Sequence, residues 1–216
     1  MTLVRDRLEY TAHCFQQLHE HAGCGFDHYV LDQGSDAKTR GWLRRNQEYF
    51  AELVMLTQNV GINGGVNRLL SIIGWEHYDV IVKFDNDCEL TEDGTLRDVA
   101  RLAKRGNAIL SPRILGLNNP PPATGTFLIE DETILNIPQI GGIFMAAPAR
   151  VYGEFHFDER KLLDDDVDLC WWWRGQGGRC GYVQRLTANH YETTRGQHAR
   201  YPEYFARTLA EGKPAL

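Results

Sequence analysis

Short runs of β-branched and apolar residues alternate along the chain with stretches whose apolar positions recur every three or four residues. That alternation predicts strands and helices in turn, hence an α/β sheet with helices packed on it. Leu8, Ala12, Phe15 and Leu18 share one helical face. Asp6 followed by Glu9 offers a capping-box-like start, so a first helix is expected to begin near Arg7. Thr2 to Val4 is the strand before it, short against the usual length of about five or six residues. Tyr29 to Leu31 reads as the next strand, Asp32 to Lys38 as a polar turn, the stretch through Trp42, Leu43 and Phe50 as a helix, and Leu53 to Leu56 as a third strand.

Asn59 to Asn67, NVGINGGVN, reads as a glycine-rich turn feeding a helix through Leu69, Leu70 and Ile73. The run Asp79 to Phe84, DVIVKF, is nearly continuous apolar β-branched sequence, as expected of a strand covered on both faces. It stops at Asp85, Asn86 and Asp87. A helix from about Thr95 to Lys104 and a strand at Ala108 to Ser111 follow. The proline-rich loop Asn118 to Thr126 then breaks the rhythm. Beyond it come Ile140 to Ala147 with paired glycines, an acid-led helix from Leu163 to Arg174, and a late strand at Tyr182 to Leu186. The polar, aromatic tail from Tyr191 is expected to be mobile.

A length of 216 residues fits one domain with a sizeable core. Net charge of -6 argues against a nucleic-acid partner, and the basic run Arg40 to Arg45 reads as a solvated helix face. The cysteines Cys14, Cys24, Cys88, Cys170 and Cys180 are scattered without a CxxC pair, which fits neither a disulfide framework nor a zinc cluster and predicts reduced thiols in a cytoplasmic chain. No apolar run reaches the roughly 18 residues of a transmembrane segment, and the start lacks a signal-peptide pattern. A location at the periphery of a membrane stays open.

Carboxylates at the end of a buried strand sit where open α/β sheets bind ligands, and Asp85 and Asp87, one residue apart, can turn toward one cation. A solvated acidic turn is the competing explanation. Asp164, Asp165, Asp166 and Asp168 open a helix, where the dipole favours acids. Crowded carboxylates also raise one another's pKa, which makes a general base. The glycine run does not follow the GxGxxG fingerprint, which argues against a nicotinamide enzyme.

Taken in order, VLDQGSDAKT, NVGINGGVN, KFDND, IGGIF, LLDDDVDLCW and the late Asn189–His190 resemble the motif series of glycosyltransferase family 2, with its GT-A fold. The resemblance runs from Thr2 to about Tyr191, which implies a single domain over 1–190 and a tail or lid over 191–216 belonging to it. It implies a Rossmann-like α/β fold: a mixed, mostly parallel sheet with helices on both faces. The implied activity is metal-dependent inverting transfer from a nucleotide diphosphate sugar, a UDP-sugar, to an acceptor hydroxyl on a saccharide, lipid-linked or protein partner, with Mn2+ or Mg2+. Oligomeric state is not implied.

By the same resemblance, Asp32 would bind the base at uracil N3, while Thr2, Val4, Arg5, Asn59, Gly61, Gly64, Gly65 and Asn67 would line the nucleotide side, with Arg68 near the phosphates. Asp85 would face the ribose, with Asn86 also on the nucleotide-sugar, Asp85 and Asp87 would hold the metal, and His190 would complete the metal site. Asp166 would be the base, with Asp165 the substitute and a shorter acid than the family's usual glutamate. Gly141, Gly142 and Trp172 would form the acceptor side, Trp172 standing where the family often carries arginine. Trp171 is expected in the core, and Arg195, His198 and Arg200 could fold over the diphosphate. Two rivals remain: a sugar-nucleotide nucleotidyltransferase, although its glycine-rich, arginine-bearing amino-terminal signature is missing, and an inactive nucleotide-sugar binding module.

Overall fold

The computed structural model describes residues 1–117, 121–161, 165–191 and 194–210. Its strands and helices run β1 (Thr2–Val4), α1 (Leu8–His21), β2 (Tyr29–Gln33), α2 (Ala37–Arg45), β3 (Glu52–Leu56), α3 (Gly61–Ile73), β4 (Val80–Phe84), β5 (Cys88–Leu90) and α4 (Thr95–Gly106). They continue with β6 (Ala108–Leu115), β7 (Gly125–Ile129), β8 (Glu132–Asn136), β9 (Phe144–Pro148), α5 (Ala149–Glu154), α6 (Asp165–Gly175), β10 (Arg179–His190), α7 (Thr194–Arg200) and α8 (Pro202–Ala210). This is the mixed α/β fold that the alternating pattern predicts.

Strands β1, β2 and β3 pair in parallel, in the order they leave the chain. Strand β4 then returns to the other side of β1: Met1 N donates to Val82 O at 2.7 Å and Phe84 N to Met1 O at 3.0 Å, the offset of a parallel ladder. From β4 the sheet continues β9, β6, β10, β8, β7, antiparallel except between β6 and β10, with β5 paired to β10. Because the order reverses at β1 and β4, the loops leaving their carboxyl ends diverge and open a crevice. Side chains alternate across the sheet. Ile109, Met145 and Ala147 meet Leu69 of α3 and Leu169 and Trp173 of α6 on one face, while Leu110, Phe144 and Ala146 meet Val99 and Leu102 of α4 on the other. Helices therefore cover both faces.

Several local expectations are corrected. Helix α1 does start after Arg7, but Asp6 makes no capping box; its Oδ1 accepts from Asp36 N at 2.7 Å. Phe50 lies beyond α2, which ends at Arg45. Gly64, Gly65 and Asn67 lie inside helix α3 rather than in a turn; position 65 calls for glycine because the helix passes close to Leu3, where a Cβ would lie 2.9 Å from Leu3 Cδ2. Trp173 is the core tryptophan, whereas Trp171 is 68% exposed. The tail folds as α7 and α8, with Tyr191 and Tyr201 each edge-on to Tyr10 at 5.2 Å. The described cysteines are all free, and no described helix is long and apolar enough to cross a membrane.

Candidate active site

The crevice at the ends of β1 and β4 gathers charged side chains that an apolar sheet would otherwise exclude. The loop after β4 delivers Asp85, Asn86 and Asp87. Strand β5 then pairs antiparallel with the end of β10, setting His190 opposite Cys88 and so beside Asp87. His190 Nε2 stands 3.4 Å from Asp87 Oδ2, and the same oxygen accepts from Arg7 Nη1 at 3.1 Å. Arg7 Nη2 donates to Asn86 Oδ1 at 3.1 Å, and Asn86 Nδ2 donates to Thr11 Oγ1 at 2.9 Å. Burial opposes charge on His190, but Asp87 outweighs it and raises the imidazole pKa.

A second acidic group meets the first through Lys83, on β4 and nearly buried. Its Nζ donates to Asp85 Oδ1 at 2.9 Å and to Gly142 O at 2.7 Å, and lies 3.7 Å from Asp165 Oδ2. Burial works against the ammonium, yet Asp85 and Asp165 hold its pKa above the usual range, so Lys83 is charged. Asp85 in turn is raised by burial, with Lys83 pulling it back. Gly142 N donates to Asp166 Oδ2 at 2.9 Å and Val167 N to Asp166 Oδ1 at 2.8 Å. The Asp166 carboxyl is pushed up to about 6, by burial first and by Asp165 second. A half-buried acid titrating near neutrality can take a proton.

The expected site residues therefore divide. Asp85, Asn86, Asp87, His190, Asp165, Asp166 and Gly142 lie together, and Gly141 precedes Gly142 in the same loop. Trp172, half-buried on α6, tilts against Phe155 with centroids 5.4 Å apart. Val4 and Arg5 are buried at the crevice end of β1. Others are engaged elsewhere. Thr2 Oγ1 pairs with His28 Nε2 at 3.0 Å. Asp32 is fully buried, with Oδ1 accepting from Ser35 N at 3.1 Å and Oδ2 3.0 Å from Arg40 Nη1, so a base contact there must compete with Arg40. Asn67 clamps the loop after α5 through Phe157 O, Phe157 N and Glu159. Asn59 Oδ1 accepts from Gly61 N at 2.9 Å, and Arg68 is exposed. Asp164 and the side chain of Arg195 lie outside the described residues. Arg200 pairs with Glu9 and lies over the Tyr10 ring, and His198 stacks on Phe205.

Lys83 and Arg7 join the site without having been expected there. The signal for Lys83 was a lone cation inside DVIVKF, a strand otherwise apolar enough to be covered on both faces. For Arg7 there was none, because a charge at a helix start is ordinarily solvated.

The residues present fit a divalent cation. Two ligands at right angles on an octahedral ion with bonds near 2.1 Å lie about 3 Å apart, close to the Asp87–His190 separation, and a carboxylate with an imidazole suits manganese. Among the described residues no three His, Cys, Asp or Glu side chains form a metal-holding group. Two protein ligands are nevertheless what a phosphate-bridged cation commonly uses.

A scan against protein-family models and a search of curated proteins return no match. Solved structures do match. A mannosyltransferase from Pyrobaculum calidifontis, solved with GDP-Man and Mn2+, is 16% identical over 99% of this chain and 64% of that one, at TM-score 0.68. GalNAc-T7, solved with UDP, GalNAc and Mn2+, is 12% identical over 89% of this chain and 44% of that one, at TM-score 0.62. S. aureus TarS residues 1–349, solved with UDP, is 13% identical over 87% of this chain and 59% of that one, at TM-score 0.60. The chain thus spans less than two thirds of each of these proteins. At such identities the likeness establishes architecture: the chain has the GT-A fold of nucleotide-sugar glycosyltransferases.

Proposed function

We propose that this protein is a metal-dependent, inverting glycosyltransferase of family 2 type that moves a sugar from a UDP-sugar to an acceptor hydroxyl. The observation that carries the reading is the meeting, at one crevice of a GT-A fold, of the Asp87–His190 pair with the raised-pKa Asp166, the two joined through Asp85, Lys83 and Gly142. Neighbours of the same fold hold UDP or GDP-Man, and two of them Mn2+; two of the three hold uridine.

Asp87 and His190 would hold Mn2+ or Mg2+, with Asp85 and Asn86 on the ribose side and Arg5 along the donor. When bound, the cation would neutralise charge developing on the departing diphosphate. Asp166, oriented by Gly142 N and Val167 N, would accept the acceptor hydroxyl proton as its oxygen attacks the anomeric carbon; one direct displacement inverts that carbon. Asp165 would serve Asp166 by raising its pKa, while its own oxygen stays near Lys83. Gly141, Gly142 and Trp172 would border the acceptor, a saccharide, lipid-linked or protein hydroxyl. Residues 1–190 would form the transferase body, with 191–216 a tail or lid belonging to the same domain.

The test is a panel of UDP- and GDP-sugars followed by thermal stabilisation and by release of nucleoside diphosphate, each with and without Mn2+. Metal-dependent stabilisation and release support the reading. Stabilisation without release would favour a binding module, and pyrophosphate from a nucleoside triphosphate and a sugar phosphate a nucleotidyltransferase.

A further inference from the structure

We infer that Tyr204, on the last helix, is a positioning residue for the donor site: its ring fixes Arg7, and Arg7 aims Asp87. The inference rests on the proposed metal site at Asp87 and goes beyond it by giving α8 a part in donor binding.

Arg7 is held in an uncommon way. Asp6 and Arg7 both adopt left-handed backbone, with φ of 52° and 50°, a conformation that costs a non-glycine residue free energy and persists only where surroundings enforce it. Asp6 N donating to Ser35 Oγ at 2.8 Å and Asp36 N donating to Asp6 Oδ1 supply that enforcement. The result turns the Arg7 side chain inward, where it is 2% exposed. Its guanidinium hydrogen-bonds Asp87 and Asn86 along one edge, while the Tyr204 and Tyr10 rings lie 5.0 and 5.8 Å from its centre. A cation over aromatic rings and away from water is attracted by them, and its hydrogen bonds strengthen as the local dielectric falls.

The tail has a separate anchorage. Arg200 pairs with Glu9, Tyr201 meets Tyr10, and Tyr191 stacks on His13 at 4.5 Å. Tyr201 therefore docks the tail, whereas Tyr204 also covers the guanidinium. Without that ring, water reaches Arg7, its grip on Asp87 Oδ2 loosens, and the oxygen facing His190 Nε2 is no longer fixed.

Calorimetric titration of UDP in the presence of Mn2+ into the full chain and its variants tests this. Tyr204→Ala is expected to weaken Mn2+-dependent affinity roughly tenfold, and Tyr204→Phe, which keeps the ring, to restore it. Tyr201→Ala should lower the melting temperature about as much as Tyr204→Ala does, with affinity unchanged. If Tyr204→Ala does not fold, Tyr204→Leu fills the space without an aromatic face and should show the same loss. In turnover, donor KM should rise while kcat holds. Wild-type affinity in the aromatic-deleted variants, or an equal loss in Tyr201→Ala, would overturn the inference. No Mn2+-dependent binding by the unsubstituted chain would overturn the metal site itself, and this inference with it.

Discussion

Replacing Asp166 by asparagine separates proton removal from everything else the crevice does. The carboxyl, ordinarily near 3.8, stands at about 6 because it is buried beside Asp165. Being harder to ionise in the folded chain, it contributes stability that is fully present below about 4 and lost as pH rises through about 6. A shift of about two units corresponds to roughly 3 kcal/mol at neutral pH, which an amide would recover. Against this, both carboxylate oxygens accept a backbone N–H, from Gly142 and Val167, and asparagine offers one oxygen, leaving one donor unmatched at a cost of about 1–3 kcal/mol. The balance at pH 8 is about 0–2 kcal/mol in the variant's favour, so Asp166→Asn should melt at or slightly above wild type there and lose relative stability toward pH 4. Transfer should fall by about a hundredfold to ten-thousandfold with nucleotide affinity retained. In wild type kcat/KM should rise with pH, level off above about 6, and drop about tenfold per unit below it; the variant should lack that limb. The assay is acceptor-dependent release of nucleoside diphosphate between pH 4.5 and 8.5, with urea unfolding over the same range. Full transfer by Asp166→Asn with loss in Asp165→Asn would move the base to Asp165, and full transfer by both would refute a carboxylate base on α6.

Lys83→Met should destabilise by about 3–5 kcal/mol in urea titrations, because it leaves Asp85 and Asp165 without the buried cation between them. His190→Ala should weaken Mn2+ binding about tenfold or more by calorimetry, removing one of the two proposed ligands, with little change in melting temperature since the ring is only part-buried at the crevice edge.

What the sequence disclosed follows from which signals are local. Strand β4 was readable because burial on both faces demands an unbroken apolar run, and Asp85 to Asp87 stood out by ending it. Strand β10 was only half readable: Gln184 and Arg185 are exposed and its pairing with β6 shifts between Val183 and Thr187, which breaks the period-two pattern. The β7–β8 hairpin was not legible because its apolar residues do not alternate with polar ones: Phe127, Leu128 and Ile129 run together although Leu128 is 65% exposed and Ile129 is buried. The conjunction of Asp166 with Gly142 was implied by a motif order, but Lys83, which ties that pair to Asp85, is a tertiary fact. So is the burial of Arg7, since nothing near it in sequence says that Tyr204 will cover it. Asp32 was visible as a strand-end acid, yet its capture by Arg40 depends on how α2 packs.

The proposed donor site is a cation shared between Asp87, His190 and a nucleoside diphosphate. Titrating UDP into the chain by calorimetry, with Mn2+ and with chelator, and repeating both in Asp87→Asn tests it most directly. Asparagine can still accept from Arg7, so the fold should persist while the charged ligand is gone. Binding should be saturable and need Mn2+ in wild type, and be lost in Asp87→Asn. Equal affinity with chelator, or unchanged Mn2+-dependent affinity in Asp87→Asn, would contradict it.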